Sequence, residues 1–412
     1  MTLSFLRAAA LATALTAAIA PCAAAPLSLE EALNLAAQRS EASRAAGAAI
    51  QSVTQAASTA SQLPDPSLRI GVDNLPVTGP DRLHTTRDSM TMKRIGISQE
   101  WLSPEKRAAR QAAADASVGR EAVSLQAAVA DTRLQTALVY LDAFFAGEAF
   151  KLTNLMEHHA HEEWEASRAR LSSSVGSSQE VLALTAARGV AADETAEVVQ
   201  QQSAARLTLQ RWVGVQADEL TPMPALNLPT EAAYVAAHPT VEALRRDVEV
   251  AKQTAAVMAS NRQANWTWEV AYGQRTGNAD MVSVGVSIPL QLAPARRQDR
   301  ETAAKWALVD KTEADLVEAT RAASAEYRAG VSDVRGLQER ITRYRSGVLV
   351  PTAQRTAAAT AAYRSNQASL VTLFEVRHAE VQAQRKLLAL QRDLTKAQVQ
   401  LAYKPLALGA AQ

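Results

Sequence analysis

The chain has 412 residues, enough for two or three ordinary domains or one very elongated one. Its 43 basic residues are balanced by 42 acidic ones, which gives no support to nucleic-acid binding, where a basic excess or stripe is usual. Aromatic residues make up only 4%, too few for a conventional globular core of this size, whereas alanine runs through almost every segment and suits long helices packed closely side by side.

Residues 1–25 read as a secretion signal, with Arg7 as a minimal positive region, Ala8 to Ile19 as the apolar stretch and Ala23-Ala24-Ala25 as small residues for cleavage. The single cysteine, Cys22, falls inside this segment, where Pro21 stands in the place a small residue takes before a lipid-bearing cysteine. The mature chain is thus expected to have no thiol for a disulfide, a thiolate metal site or a nucleophile. No later stretch approaches the roughly 18 apolar residues of a spanning helix. Neither a Gly-rich phosphate loop nor an HExxH motif nor a nucleophile elbow is present, so the sequence points to no enzyme and no cofactor.

From residue 26 the same order of elements occurs twice. The first copy, 26–213, opens with a helix over 28–62, with Ser28 as N-cap and Glu31 completing a capping box. Pro64-Asp65-Pro66 ends it. Strands are predicted near 66–74 and 91–101, then a helix over 105–171, a Ser/Gly-rich break at 172–178, and a return helix to Trp212. A linker, 214–229, carries Pro222, Pro224 and Pro229. The second copy, 230–405, has a helix after Pro239, strands at 265–273 and 281–291, a helix over 295–361, a break at 365–369 and a last helix ending before Pro405; 406–412 is a tail. Pro104, Arg107 and Arg110 correspond to Pro294, Arg297 and Arg300 at one constant offset, and Leu171 and Ser177 correspond to Tyr363 and Ser369 at an offset two residues larger.

Each long helix would extend roughly 100 Å at about 1.5 Å per residue. Such helices persist in water by packing along a seam. Leu134, Leu138, Leu141, Phe145, Leu152 and Leu155 follow alternating four- and three-residue steps, broken only at Glu148, and Leu373, Leu387, Leu394 and Leu401 sit at multiples of seven, which is coiled-coil spacing. In the strands, Trp266, Trp268, Val270 and Tyr272 alternate with polar or small residues, as do Val282, Val284, Val286, Ile288 and Leu290. The first copy shows the same pattern more weakly in Leu68, Ile70 and Val72 and in Ile95, Ile97 and Trp101. Segments near ten residues with one apolar face fit a transmembrane barrel, although period-two alternation also marks any half-buried sheet. Four strands cannot close a barrel, and an open edge cannot lie in lipid. Other copies of the chain must then complete it; three would supply twelve strands and a closed helical tube.

On these features the chain resembles the TolC-like outer-membrane efflux proteins over essentially its whole mature length. The matching residues are Leu27-Ser28-Leu29-Glu30-Glu31-Ala32-Leu33, Leu63-Pro64-Asp65-Pro66, the two hairpin-plus-long-helix repeats, and Tyr363-Arg364-Ser365-Asn366-Gln367-Ala368-Ser369-Leu370. The resemblance implies a mainly α fold with a small β part: a homotrimer with a twelve-stranded β-barrel in the outer membrane and a long α-barrel in the periplasm. It further implies passive conduction, with a periplasmic adaptor joining the channel to an inner-membrane RND pump. Length and opening look most like the heavy-metal, cobalt–zinc–cadmium branch. The same fold could carry drugs or secreted polypeptides instead, and a soluble periplasmic coiled-coil adaptor is the alternative of a different class.

The resemblance also assigns a periplasmic tip and gate. Tyr363, Asn366 and Ser369 belong to its inner helix turn, Asn366 standing where the family usually has Gly; Asn tolerates the left-handed conformation. Glu375 falls where the motif often carries a lumen-facing carboxylate, which threefold symmetry would make a ring, while Thr372 occupies the neighbouring acidic position. The other reading of Glu375 is a pair with Arg377 or Arg364. His158, His161, Glu162 and Glu165 share a helical face at i, i+3, i+4 and i+7 and read either as a solvated charged face or as a site for zinc or a similar cation. Arg107, Arg110, Arg297 and Arg300 follow the strands, as solvated charges or as anchors near lipid headgroups; Trp101 and Trp266 fit an aromatic girdle or burial.

Overall fold

The computed structural model describes residues 26–406. The expected secretion signal, with Cys22, and most of the tail lie outside the described residues. The chain opens with α1 (Leu29–Arg39), where Glu31 N–H donates to Ser28 Oγ at 3.3 Å and Ser28 N–H donates back to the Glu31 carboxylate at 3.1 Å. The single helix expected over 28–62 is in fact two. Ser40 adopts an extended backbone, its Oγ accepts the Ser43 N–H at 3.2 Å, and a new helix α2 (Glu41–Thr59) starts there. A serine hydroxyl competes well for the orphan donors of a helix start, so Ser40 acts as an N-cap rather than a helix interior residue.

Strands β1 (Ser67–Asp73) and β2 (Met92–Trp101) lead into α3 (Pro104–Ser172), a 69-residue helix, and α4 (Ser178–Val213) returns. The second half begins with α5 (Glu231–Ala236), a short helix that the sequence reading lacks, capped by Thr230 and followed by α6 (Pro239–Ser260). Strands β3 (Trp266–Arg275) and β4 (Met281–Ser287) follow. β4 stops short of the expected 291 because Pro289 has no N–H to give a ladder. Then come α7 (Gln298–Tyr344), a π-helical turn (Arg345–Leu349), α8 (Val350–Arg364) and α9 (Leu370–Tyr403). The second long helix, expected uninterrupted, is therefore divided. Pro351 cannot donate to the carbonyl four residues back, and the hydrogen-bond ladder widens to a π-turn just before it.

Two compact units cut across the two sequence copies. One comprises the segment ending at Arg39 with Thr136–Ala225 and Ile341–Arg392; the other comprises Ser40–Gln135, Leu226–Arg340 and the segment from Asp393. The core of the first includes Met156 and Ala160 of α3, Leu184 and Ala191 of α4, and Leu370 and Phe374 of α9. Tyr140 is fully buried there, its hydroxyl donating toward the carbonyls of Leu27 and Thr221 at 2.8 and 2.7 Å, where Leu27 and Leu220 form a parallel bridge. In the second unit Tyr234, Val334 and Leu401 cluster, and the Tyr234 hydroxyl donates to Glu326 at 2.8 Å.

The seam of α3 takes in only part of the leucine stripe that the spacing suggests. Leu141 is buried at 1% exposure but Leu155 is 51% exposed, and the other buried positions between 137 and 167 are Ala137, Tyr140, Ala143, Thr153, Met156, Ala160, Glu163 and Ser167. Small residues bring helix backbones close together, and most of the larger stripe residues then flank the contact instead of filling it. Ala160, 1% exposed, is a direct test of that packing. Ala160→Leu is expected to cost about 1–3 kcal/mol by overpacking, seen as a lower thermal-unfolding midpoint; an unchanged midpoint would mean the seam is loose.

Candidate functional site

The four strands form one antiparallel sheet in the order β1-β2-β3-β4. Each sequence copy contributes two strands, and one from each, β2 and β3, meet at the centre, with Trp101 opposite Trp266, Ile97 opposite Val270 and Ile95 opposite Tyr272. On either side Leu68 faces Ile97 and Ile70 faces Ile95, while Val270 faces Val284 and Tyr272 faces Val282. The register therefore collects every alternating apolar residue onto one side of the sheet. Yet that side is bare: Ile70 and Val284 are each 75% exposed, and Leu68, Ile95, Ile97, Val270, Val282 and Val286 are exposed with them. A continuous apolar sheet face of this extent is not left to water in a soluble monomer. Strands of ten residues reach roughly 33 Å at about 3.3 Å per residue, enough to cross an apolar band of about 25 Å when tilted.

The opposite face is small and charged. Arg94 binds Glu269 at 2.8 Å and Asp73 at 3.6 Å, and Arg69 binds Glu269 at 3.3 Å. A Cβ added at Gly96 would lie 2.8 Å from the Ala271 Cβ, so glycine leaves room there for its neighbour across the β2–β3 pair. Each outer strand has one partner among the described residues, which leaves the far edges of β1 and β4 unpaired. Trp101 and Trp266 stand at the helical end of the apolar face, rings 6.0 Å apart and more than a third exposed. No helix among the described residues is long and apolar enough to cross a membrane.

The two helix turns form a second matched feature. α8 closes with Gln367 N–H donating to Ala362 C=O at 2.8 Å and Asn366 N–H to Tyr363 C=O at 3.0 Å, with Asn366 at φ 58°. α3 closes identically: Val175 N–H donates to Arg170 C=O and Ser174 N–H to Leu171 C=O, both at 3.0 Å, with Ser174 at φ 61°. Both are Schellman caps, and the left-handed residue expected at Asn366 is where the sequence places it. Ser369 then caps α9 by accepting the Thr372 N–H at 3.2 Å, as Ser177 caps α4 by accepting from Glu180 at 3.1 Å. The Glu180 carboxylate also accepts the Leu370 N–H at 3.3 Å, so one acid serves two helix starts. Tyr363 is half-buried against the Met156–Leu370 cluster.

Glu375 is exposed on α9 and makes no ion pair among the described residues. Its expected alternative partner Arg377 is engaged elsewhere, with Glu163 of α3 at 2.7 Å. Sequence reasoning missed this pair, since Glu163 looks like one more acid in a charged run. It is buried, and one of its oxygens has no hydrogen-bond partner. Burial outweighs the neighbouring guanidinium and pushes the carboxyl up to about 7. The His158–Glu165 face separates into pairs instead of converging. His158 and His159 reach Glu162 at 3.3 and 3.2 Å, while His161 reaches Glu165 at 3.3 Å. No group of three or more His, Cys, Asp or Glu among the described residues could hold a metal ion.

This assembly of parts defines the fold of the TolC-type outer-membrane channels. Among solved structures the chain is similar to the Campylobacter jejuni CmeC outer-membrane channel, with a TM-score of 0.76 and 10% identity over 91% of this chain and 85% of that one. It is similar to the outer-membrane channel OprN, with a TM-score of 0.75 and 15% identity over 91% and 89%. It is also similar to the outer-membrane protein VceC of Vibrio cholerae, with a TM-score of 0.73 and 15% identity over 92% and 96%. No protein-family model and no curated protein sequence matches the chain.

Two outcomes test the site. Val284→Arg at the middle of the bare face should weaken membrane insertion by about 2–4 kcal/mol if lipid covers it, measured by urea titration of vesicle-inserted protein; a change within about 0.5 kcal/mol would make it a solvated surface position. For Glu163 the folded-state pKa lies above the ordinary value of 4.5, so the folded state binds the extra proton and stability falls as pH rises from about 4.5 through 7. Hydrogen exchange around 156–167 should quicken over that interval through this ionisation, and Glu163→Gln should remove that dependence.

Proposed function

We propose that the chain is a subunit of an outer-membrane export channel, a passive duct in which three copies join their sheets into one barrel. The observation that carries this reading is the open four-stranded sheet with one bare apolar face and two unpaired edges. Buried in lipid, those edge groups would lack partners unless other copies supplied them, and three copies of four strands make a twelve-stranded barrel of ordinary size. In this reading the chain lies in the outer membrane and extends into the periplasm. A periplasmic adaptor and an inner-membrane RND pump deliver the cargo, as the family resemblance implies, and the chain performs no catalysis.

The tip formed by Tyr363, Asn366 and Ser369 acts as the periplasmic gate, and Glu375 supplies a single carboxylate ring. Its exposure and the engagement of Arg377 by Glu163 support that role, because an unpaired carboxylate keeps its full field for passing ions. Heavy-metal cations are the proposed cargo, resting on the likeness to that branch and on the sign of the ring. In planar-bilayer recordings under a salt gradient, Glu375→Gln should shift the reversal potential toward zero cation preference while trimer assembly stays intact. Equal reversal potentials for both proteins would remove Glu375 from selectivity.

A further inference from the structure

The arginines beside the sheet's helical end are not absorbed by the channel reading, and they sit in a defined layer. β2 passes through buried Leu102 directly into α3, and β4 reaches α7 through the short 3-10 turn Pro294–Arg296, so both helix starts lie at the Trp101–Trp266 end. A polar network ties this level together. Gln263 donates to Glu105 at 2.7 Å, Lys106 Nζ donates to the Gln263 carbonyl at 3.0 Å and to Asn265 at 2.6 Å, and Asn265 donates to Glu100 at 2.7 Å. Gln291 donates to the Asn261 carbonyl at 2.9 Å, and Arg262 pairs with Asp299 at 3.0 Å.

Charge is concentrated here. Segments 104–110 and 294–301 hold six basic residues against three acidic ones, in a chain whose net charge is +1. The acids already have partners: Glu105 with Gln263, Asp299 with Arg262, and Glu301 with Arg297 at 3.6 Å. Among the described residues Arg107, Arg110, Arg296 and Arg300 have no carboxylate within 4.0 Å. Arg107 Nε is buried without a hydrogen-bond partner, and Arg296 and Arg300 are exposed. Cations in a first helical turn oppose the helix dipole, and the same unfavourable placement occurs at both helix starts. Immediately before the second set, Ile288, Leu290 and Leu292 are bare. An apolar face, an aromatic border and then unpaired guanidinium groups follow one another as acyl chain, interface and headgroup do in a leaflet.

We infer that Arg107, Arg110, Arg296 and Arg300 form a basic belt that binds the phosphate groups of anionic phospholipids in the leaflet facing the helices. This rests on the membrane reading of the sheet. The planar guanidinium fork matches two phosphate oxygens at once, which a lysine ammonium does not. Lys106 takes no part, because its ammonium is spent inside the network.

The test uses the full chain in phosphatidylcholine vesicles, with brominated phosphatidylglycerol or brominated phosphatidylcholine titrated in as quenchers of tryptophan fluorescence. Each basic residue near a membrane surface changes partitioning by roughly fivefold. The wild type should therefore reach half-maximal quenching at a several-fold lower fraction of the anionic lipid. Arg110→Gln with Arg296→Gln and Arg300→Gln should quench equally with both lipids, while the three Lys replacements should keep most of the preference. Equal quenching in the wild type, or a preference that survives the Gln replacements, overturns the belt and leaves the channel reading standing. Loss of the preference on adding millimolar inorganic phosphate would make this a free-phosphate site and also overturn it. No quenching by either lipid would sink both readings together.

Discussion

The backbone groups along the outer edges of β1 and β4 set the constraint on which everything else turns. A strand edge beside an apolar face can be satisfied by water or by another strand, and here the face beside it carries Leu68, Ile70, Val72 and Val282, Val284, Val286, all exposed. Water would satisfy the edge but not the face; lipid would satisfy the face but not the edge. Closure with further copies of the same sheet satisfies both. The charged network of Arg69, Arg94, Asp73 and Glu269 then has a natural place on the enclosed side, where its members compensate one another.

The same economy governs the helices. Lengths such as the 69 residues of α3 need continuous lateral support, and small side chains supply it by letting backbones approach. This is the physical use of an alanine-rich, aromatic-poor composition. At the turns the supporting contacts end, and backbone capping takes over: paired Schellman closures at Ser174 and Asn366, serine N-caps at Ser177 and Ser369, and Glu180 bridging to Leu370. Just behind these caps the Glu163–Arg377 pair is buried between α3 and α9. Burial that pushes the Glu163 carboxyl up to about 7 makes that contact responsive to ordinary changes of pH.

Much of this was legible in the residues because it rests on local rules. Strand alternation located all four strands, the Leu-Pro-Asp-Pro stop located the first, and the matched Ser-x-x breaks located both turns. Ser40 and Pro351 were legible in principle, since an N-cap residue before a glutamate and a proline within a helix are both interruption signals, but periodicity on either side outweighed them. What the residues could not supply was partnership at long range. The pairing of β2 with β3 joins strands 165 positions apart at Trp101 and Trp266, and the Arg377–Glu163 contact depends on which face of α3 turns inward. The leucine spacing located part of the seam, with Leu141, Leu373 and Leu401 buried, but it also ran through exposed Leu155, because heptad patterns report a stripe without saying whether its own chain or a neighbour covers it. The four-residue His/Glu set makes a related point: helical spacing aligns these side chains, and they meet as separate His–Glu pairs without converging on one point.

Closure by other copies is tested most directly at the strand edges themselves. Because the only cysteine of the sequence is Cys22, a Cys22→Ser background with cysteines placed singly at 68, 70 or 72 of β1 and together with Val284→Cys of β4 can be oxidised in vesicles. The account predicts that one β1 position gives a covalent ladder ending at a closed trimer on a denaturing gel, dissolved by reductant. Monomer alone at all three positions, from protein that is inserted and folded, would contradict it.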